Sequence, residues 1–400
     1  VKRDVVQVVS PGTALSDTVL DQQRNNFLVS LHTGEELTGL AIIDMSTGDF
    51  TLSELAAADV WGELEILAPA EFLIGDGLSE EWVEEMEVLL PGTAVSRIDD
   101  WHFEFNSAYE SLTTQLGVRS LKGYDAEDLQ AAICAGGAAV DYLRDNQRGA
   151  IAHINRIQRK RPDDFLMLDA TAQRNLELLA NQHDGKRAGS LLEVLDRTRT
   201  PMGARLLRRW IVSPLRDTAA IIDRQDAVAS LLGAEQHCAT LREVMGGIGD
   251  LERVMARICC QRANARDLVG LSVSLRKVEA IRSGLAALEG GLLETLRCTG
   301  LPDIQPLVSE LSKALVDEPP LHLGDGGLIR DGYHEELDEL RQASRGGKEW
   351  IAAQQTHERQ RSGISSLKIG YNQVFGYYIE VSKANLDRVP AEYVRKQTLA

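Results

Sequence analysis

Near residue 365 the repeat of this chain changes, and that change limits what its C-terminal part can become. Residues 333–361 carry a long, mostly polar helical pattern. From Leu367 onward the side chains alternate instead: Leu367, Ile369 and Tyr371 fall on one face, and Lys368, Gly370 and Asn372 on the other. After a short turn, Tyr377, Ile379 and Val381 alternate with Tyr378, Glu380 and Ser382. A period of two on both sides of a turn is a β-hairpin pattern, although the Asn-Gly turn signal is absent. A small hairpin at the end of a long helix has little core of its own, so it suits a surface presented at a distance.

Charge divides the chain in the same direction. The net charge is −17 over 400 residues, which by itself argues against a polyanion partner. Residues 1–128, however, hold 25 acidic and 6 basic side chains, whereas 129–400 hold 35 acidic and 37 basic. In 364–400 five basic residues (Lys368, Lys383, Arg388, Arg395, Lys396) face three acidic ones (Glu380, Asp387, Glu392). DNA would repel the first third, while the rest could approach a phosphate backbone. The plainer alternative is that the acidic surface only solubilises. Five cysteines with no C-x-x-C pair argue against disulfides and thiolate zinc sites. The stretch VKRDVVQVVSPGT lacks the apolar centre of a signal peptide, and no run approaches eighteen apolar residues. A soluble, cytoplasmic chain is expected.

Three regions follow in order. FLVSLH (27–32), TGLAIID (38–44) and GDFTLSE (48–54) are too close together for helical crossovers and predict an antiparallel meander. A helix over 59–67, a strand EFLIGD (71–76), a helix over 79–90 with Ser79 as N-cap, and a strand TAVSRID (93–99) complete a ribonuclease H-like α/β pattern. Asp44, Asp49 and Asp76 sit at turns and strand ends. Clustered carboxylates of that kind could hold divalent metals in a nuclease, although Asp is common at turns for local hydrogen bonding. From 129 the chain turns helical for two hundred residues. LQAAICAGGAAVDYLRDNQ is a small-residue helix suited to close packing, read here as a connection between domains. A basic linker (RIQRKR, 156–161) leads to a helix capped by Asp169 or Thr171, with Leu176, Leu179 and Ala180 as its apolar face. Thr200-Pro201 opens another, faced by Leu206, Leu207, Trp210 and Ile211; Asp217 and Asp250 start two more. Periodicity alone makes this block a helical bundle with an exposed basic face.

Several stretches resemble the MutS family of DNA mismatch repair proteins. GYNQVFGYYIEVSK followed by RKQTL resembles its clamp. LDATAQRNLEL, SLLEVLDRTRTPMGARLLRRWIVSPLRD and GDLERVMARI resemble its core, and DGGLIRDGYHEELDELR the approach to its lever helix. The motifs keep family order over the whole chain. The resemblance implies a multidomain α+β chain: the end of a linker (1–14), a ribonuclease H-like connector domain (15–128), an all-helical core (129–332), a lever helix (333–363) and an incomplete β-hairpin clamp (364–400). It implies that the full protein is a dimeric mismatch sensor that surrounds double-stranded DNA, exchanges ADP for ATP with magnesium, and meets MutL through the connector. Clamp residues would touch the DNA backbone, which positions a protein without reading sequence; Lys368, Asn372, Gln373, Lys383, Arg395, Lys396 and Thr398 are the candidates.

Other family features are missing from these 400 residues. The family's mismatch reader carries Phe-x-Glu, and Phe103-Glu104-Phe105 has the wrong spacing. Its ATPase carries G-x-x-x-x-G-K-[ST]; around Gly346-Gly347-Lys348, Gln342 holds the first glycine position and Glu349 follows the lysine. VQVVSPGT resembles the link after the mismatch domain, and RKQTLA falls inside the clamp, so both ends are expected to be cut from a longer protein. His334-Glu335 and His357-Glu358 lack a second His at zinc-helix spacing, and no G-x-S-x-G elbow occurs. No catalysis, no metal site and no nucleotide site are therefore expected of the segment. The rivals are a metal-dependent nuclease and a helical scaffold without DNA affinity. Within the family, paralogues that suppress recombination lack a connector, so the early strands argue against them, whereas paralogues that do not read mismatches stay open.

Overall fold

The computed structural model describes residues 8–148, 151–286, 288–298, 303–372 and 376–395. The chain divides into two compact units, 1–328 and 329–400. The first begins with β1 (Leu28–Thr33), β2 (Thr38–Asp44) and β3 (Asp49–Leu55). Next come α1 (Ala57–Leu67), β4 (Glu71–Gly75), α2 (Glu80–Leu89), β5 (Ala94–Ile98), α3 (Phe105–Leu116), α4 (Gln130–Asn146) and β6 (Gln158–Arg159). The strands form one mixed sheet in the order β5-β4-β1-β2-β3-β6. The expected meander is present: β1–β2 and β2–β3 are antiparallel, and β4 and β5 then add in parallel on the far side of β1. That is the order of a ribonuclease H-like sheet. Both faces are covered, as a mixed sheet with helical crossovers requires. Alternate residues Leu28, Ile43, Phe50, Leu52 and Leu73 pack with α3 and α4. Val29, Leu31, Leu40, Phe72 and Ile74 pack with Val60, Leu64 and Met86 of α1 and α2. At α2, Ser79 holds the N-cap position, but its hydroxyl makes no capping bond.

The sequence reading placed α4 in the helical core, as a connection between domains. In the structure it is a layer of the sheet domain. Its small residues Ala132, Ala135, Ala138 and Ala139 are fully buried. A Cβ at Gly39 of β2 would sit 2.1 Å from the Ala131 carbonyl carbon, and one at Gly137 would sit 2.2 Å from Ala108 Cα on α3. Glycine at both positions is what lets the backbones approach so closely. Glu54 of β3 accepts from the Ala131 and Ala132 amides (2.7 and 3.1 Å), capping α4 from the sheet. The basic linker after α4 stays with this domain too. Arg159 forms a bidentate pair with Asp128 (2.7 and 2.9 Å), Lys160 pairs with Glu63, and Arg161 with Asp125. Part of the charge division read from composition is thus neutralised internally.

The helical part contains α5 (Ala170–Asn175), α6 (Leu191–Leu195), α7 (Pro201–Val212), α8 (Thr218–Gly233), α9 (Glu235–Met245), α10 (Leu251–Cys259), α11 (Ala265–Leu285), α12 (Gly291–Cys298) and α13 (Gln305–Ala314). The expected caps hold: Asp169 accepts from Ala172 N, Thr200 from Gly203 N, Asp217 from Ala219 N and Asp250 from Arg253 N. Two faces differ from expectation. The helix after Asp169 ends at Asn175, leaving Leu176 as an exposed C-cap. On α7 the buried residues are Ala204 and Arg205, while Leu206 and Trp210 are exposed.

Arg205 is buried because it is paired. It donates to both oxygens of Asp250 (2.6 and 2.8 Å), to Glu252 (2.6 Å) and to the Gln22 carbonyl (3.0 Å). Burial works against its charge, yet Asp250 and Glu252 outweigh it and hold the guanidinium above its ordinary value. Arg253, with no exposure, donates to the carbonyls of Asp21 (2.9 Å) and Arg24 (2.7 Å). Arg257 joins Asp17 (3.0 Å) to Asp267 (2.7 Å). The segment leading into β1 is therefore fastened by arginines of α7 and α10. The exposed basic face expected of the helical block is buried instead at Arg205 and Arg253, and half-buried at Arg257.

The second unit contains α14 (Glu335–Ser362), β7 (Lys368–Asn372) and β8 (Gly376–Glu380). The long polar helix and the hairpin read from the change of period are both present.

Candidate nucleic-acid interface

β7 and β8 are antiparallel, with Ile369 opposite Ile379, Tyr371 opposite Tyr377, Gly370 opposite Tyr378 and Lys368 opposite Glu380. The register places Ile369, Tyr371, Tyr377 and Ile379 on one face, as the alternation predicted. Tyr371 and Tyr377 meet edge to face at 5.1 Å and are each 64% exposed. On the other face, a Cβ at Gly370 would come within 2.8 Å of the Tyr378 ring, so glycine leaves room for the phenol to lie across the strand.

With so few residues, the hairpin depends on α14 for support. Gly363, in the left-handed region at φ 65°, ends the helix, and Ile364 and Leu367, both closely buried, follow it. Arg359 Nε donates to the Leu367 carbonyl (2.7 Å), and Gln355 Oε1 accepts from Ile369 N (2.9 Å). Glu358, buried on the helix, accepts from the Tyr393 hydroxyl and bridges Arg361 Nε at 3.2 Å. Burial and that bond push the Tyr393 phenol above its ordinary value. Arg361 also pairs with Glu392 (2.6 Å). These contacts tie the segment around 392–393 to the helix, and they engage one of the three acids of the hairpin region. Asn385 Nδ2 donates to Ser366 Oγ (3.1 Å) and Ser382 Oγ (3.2 Å), fixing the turn after β8.

Of the candidate contact residues, Lys368 is exposed at the start of β7, Lys383 is exposed at the start of the short 3-10 helix Lys383–Arg388, and Arg395 is exposed beyond Tyr393. Asn372 ends β7. Gln373, Lys396 and Thr398 lie outside the described residues. The supporting set (Gln355, Glu358, Arg359, Arg361, Tyr393) escaped the sequence reading. Its one signal was the polar run HERQR at the very end of the helical pattern.

The carboxylates of the nuclease alternative have other partners. Asp44 is fully buried and accepts from Asn25 Nδ2 (2.8 Å), Asn26 N (3.1 Å), Ser46 N (2.9 Å) and Ser46 Oγ (2.7 Å), which closes the β2–β3 turn. Asp49 pairs with Arg209 at 3.5 Å, and Asp76 is exposed after β4. Among the described residues no three His, Cys, Asp or Glu side chains come together as a metal-holding group.

Comparison with known proteins gives one consistent result. The family described as MutS domain III matches residues 171–393, and MutS domain II matches 26–155. The DNA mismatch repair protein MutS of Symbiobacterium thermophilum is 42% identical over all of this chain and 46% of its own length. That of Salinibacter ruber is 38% identical over 100% and 44%, and that of Halothermothrix orenii 41% over 100% and 45%. The chain spans about half the length of the curated relatives it matches.

Proposed function

Because the chain belongs to the MutS family, we propose that it is the connector, core, lever and part of the clamp of a DNA mismatch repair sensor. In this reading it embraces duplex DNA through backbone contacts. Lys368, Lys383 and Arg395, with Asn372, Gln373, Lys396 and Thr398, touch phosphates. The supporting observation is the hairpin itself: exposed Tyr371, Tyr377 and Lys368 on a two-stranded sheet whose strand β7 is bonded to a 28-residue helix. In the full-length protein α14 is the lever that couples clamp contacts to an ATPase using ATP and magnesium. The acidic sheet domain faces MutL rather than DNA, two copies form the homodimer, and the protein works in the cytoplasm. The 400 residues contain no phosphate-binding loop, so the segment itself performs no catalysis in this reading.

Fluorescence anisotropy with matched and G·T duplexes at several salt concentrations tests it. Two or three phosphate contacts give a log–log salt slope of about −2 to −3, without mismatch preference. Lys383→Ala makes the slope shallower by about one unit on every sequence. A tenfold mismatch preference, or a slope unchanged by Lys383→Ala, would reject the assignment.

A further inference from the structure

On α7 three arginines occupy five consecutive positions, and two of them have acids. Arg205 grips Asp250 and Glu252, and Arg209 reaches Asp49. Arg208 is half-buried, and its guanidinium makes no hydrogen bond or ion pair with any described residue. Its surroundings add positive charge. Arg205 donates to the Gln22 carbonyl (3.0 Å), and Arg187 donates to Gln23 Oε1 (2.6 Å), so consecutive linker residues draw both arginines to the place where Arg24 follows. Burial pushes the Arg208 guanidinium down to about 10, and Arg24 and Arg187 add to that, against the opposing field of Asp21. The nearby acids are already engaged: Asp196 holds Arg187 (2.7 Å), while Asp21 lies 3.4 Å from Arg24 and accepts from Gln23 N (2.8 Å).

A partly desolvated guanidinium among like charges is costly unless a counter-charge arrives. Arg187 and Arg24 already have Asp196 and Asp21, so the charge left over is that of Arg208; a phosphate can meet it and, with its further oxygens, the planar donor forks of the two neighbouring arginines as well. We propose that Arg208, with Arg24 and Arg187, forms a binding site for a phosphate group, borne on a free polyphosphate or on a nucleic-acid backbone. All three residues belong to the first unit, and none belongs to the hairpin.

Thermal unfolding of the 400-residue chain, with sodium tripolyphosphate titrated at constant ionic strength, tests the proposal. The melting temperature rises saturably, by about 2 °C or more at high occupancy. Arg208→Gln removes that response and, without the anion, leaves the melting temperature equal or higher, because an uncompensated charge is gone. Arg216→Gln, an exposed cation on the same domain, keeps the response. A wild-type chain without a saturable rise would overturn the site. So would an Arg208→Gln variant that still responds, one that melts several degrees lower without anion, or loss of the response in Arg216→Gln. A labelled duplex then assigns the source. Displacement by tripolyphosphate that disappears in Arg208→Gln identifies backbone phosphate; duplex binding indifferent to both identifies a free polyphosphate.

Discussion

Replacing Arg205 tests how the sheet domain and the helical part of the first unit are joined. Its guanidinium makes two bonds to Asp250, one to Glu252 and one to the Gln22 carbonyl, with 3% of the side chain exposed. Arg205→Ala leaves Asp250, itself 13% exposed, without its main counter-charge. Removing one partner of a buried pair costs about 3–5 kcal/mol, mostly as the penalty of the charge left behind. Arg205→Lys keeps the charge but cannot reproduce the fork, so about 1–3 kcal/mol should go. Asp250→Asn separates pairing from capping, because Asn caps α10 nearly as well as Asp; a loss close to that of Arg205→Ala would place the energy in the ion pair. Urea unfolding followed by tryptophan fluorescence measures both the size and the coupling, in two backgrounds that each keep one of the five tryptophans, Trp101 for the sheet domain or Trp210 for the helices. The expected result is a lower midpoint, with the two signals moving apart because the joint at Gln22 has weakened. Losses below about 1 kcal/mol in all three variants would refute the account of the joint.

Three further outcomes follow from the structure. Gly137→Ala should destabilise by about 3 kcal/mol, since its Cβ would meet the Ala108 backbone at 2.2 Å; a melting temperature within a degree of wild type would contradict the packing of α4. Burial lowers the pKa of His32 and of His153 in the fold below the value near 6.5 at which the unfolded chain protonates. The stability from this source is therefore complete above that pH and falls as the pH drops through it towards the folded-state pKa; His153→Gln should flatten the fall, and an unchanged profile would exclude His153 as a source. ATP hydrolysis should stay at background, and turnover that survives repurification and disappears in Lys348→Ala would oppose the non-catalytic reading.

Much of the fold was legible because its signals were local. The β1–β3 meander, the caps at Asp169, Thr200, Asp217 and Asp250, and the hairpin register all follow from alternation or from one polar side chain at a helix start. What stayed hidden depends on partners far along the chain. Arg205 looks like a surface cation until Asp250, 45 residues on, is folded against it. The small residues of α4 announce close packing but cannot say that the partner is Gly39 of β2, whose own sequence neighbourhood reads only as strand. In the hairpin, the exposed lysines and tyrosines were readable from alternation. Arg359, Glu358 and Tyr393 were not, because their role comes from the chain folding back after Gly363.

Photocrosslinking tests the central claim, that DNA meets this chain at the hairpin and not at the acidic sheet domain, most directly. p-Benzoylphenylalanine in place of Tyr377, exposed on β8, should crosslink efficiently to a bound duplex, less so as salt rises. The same group in place of Val88, 78% exposed on the acidic helix α2, should give no crosslink above background. Equal crosslinking from both positions, or crosslinking from Val88 alone, would contradict the account.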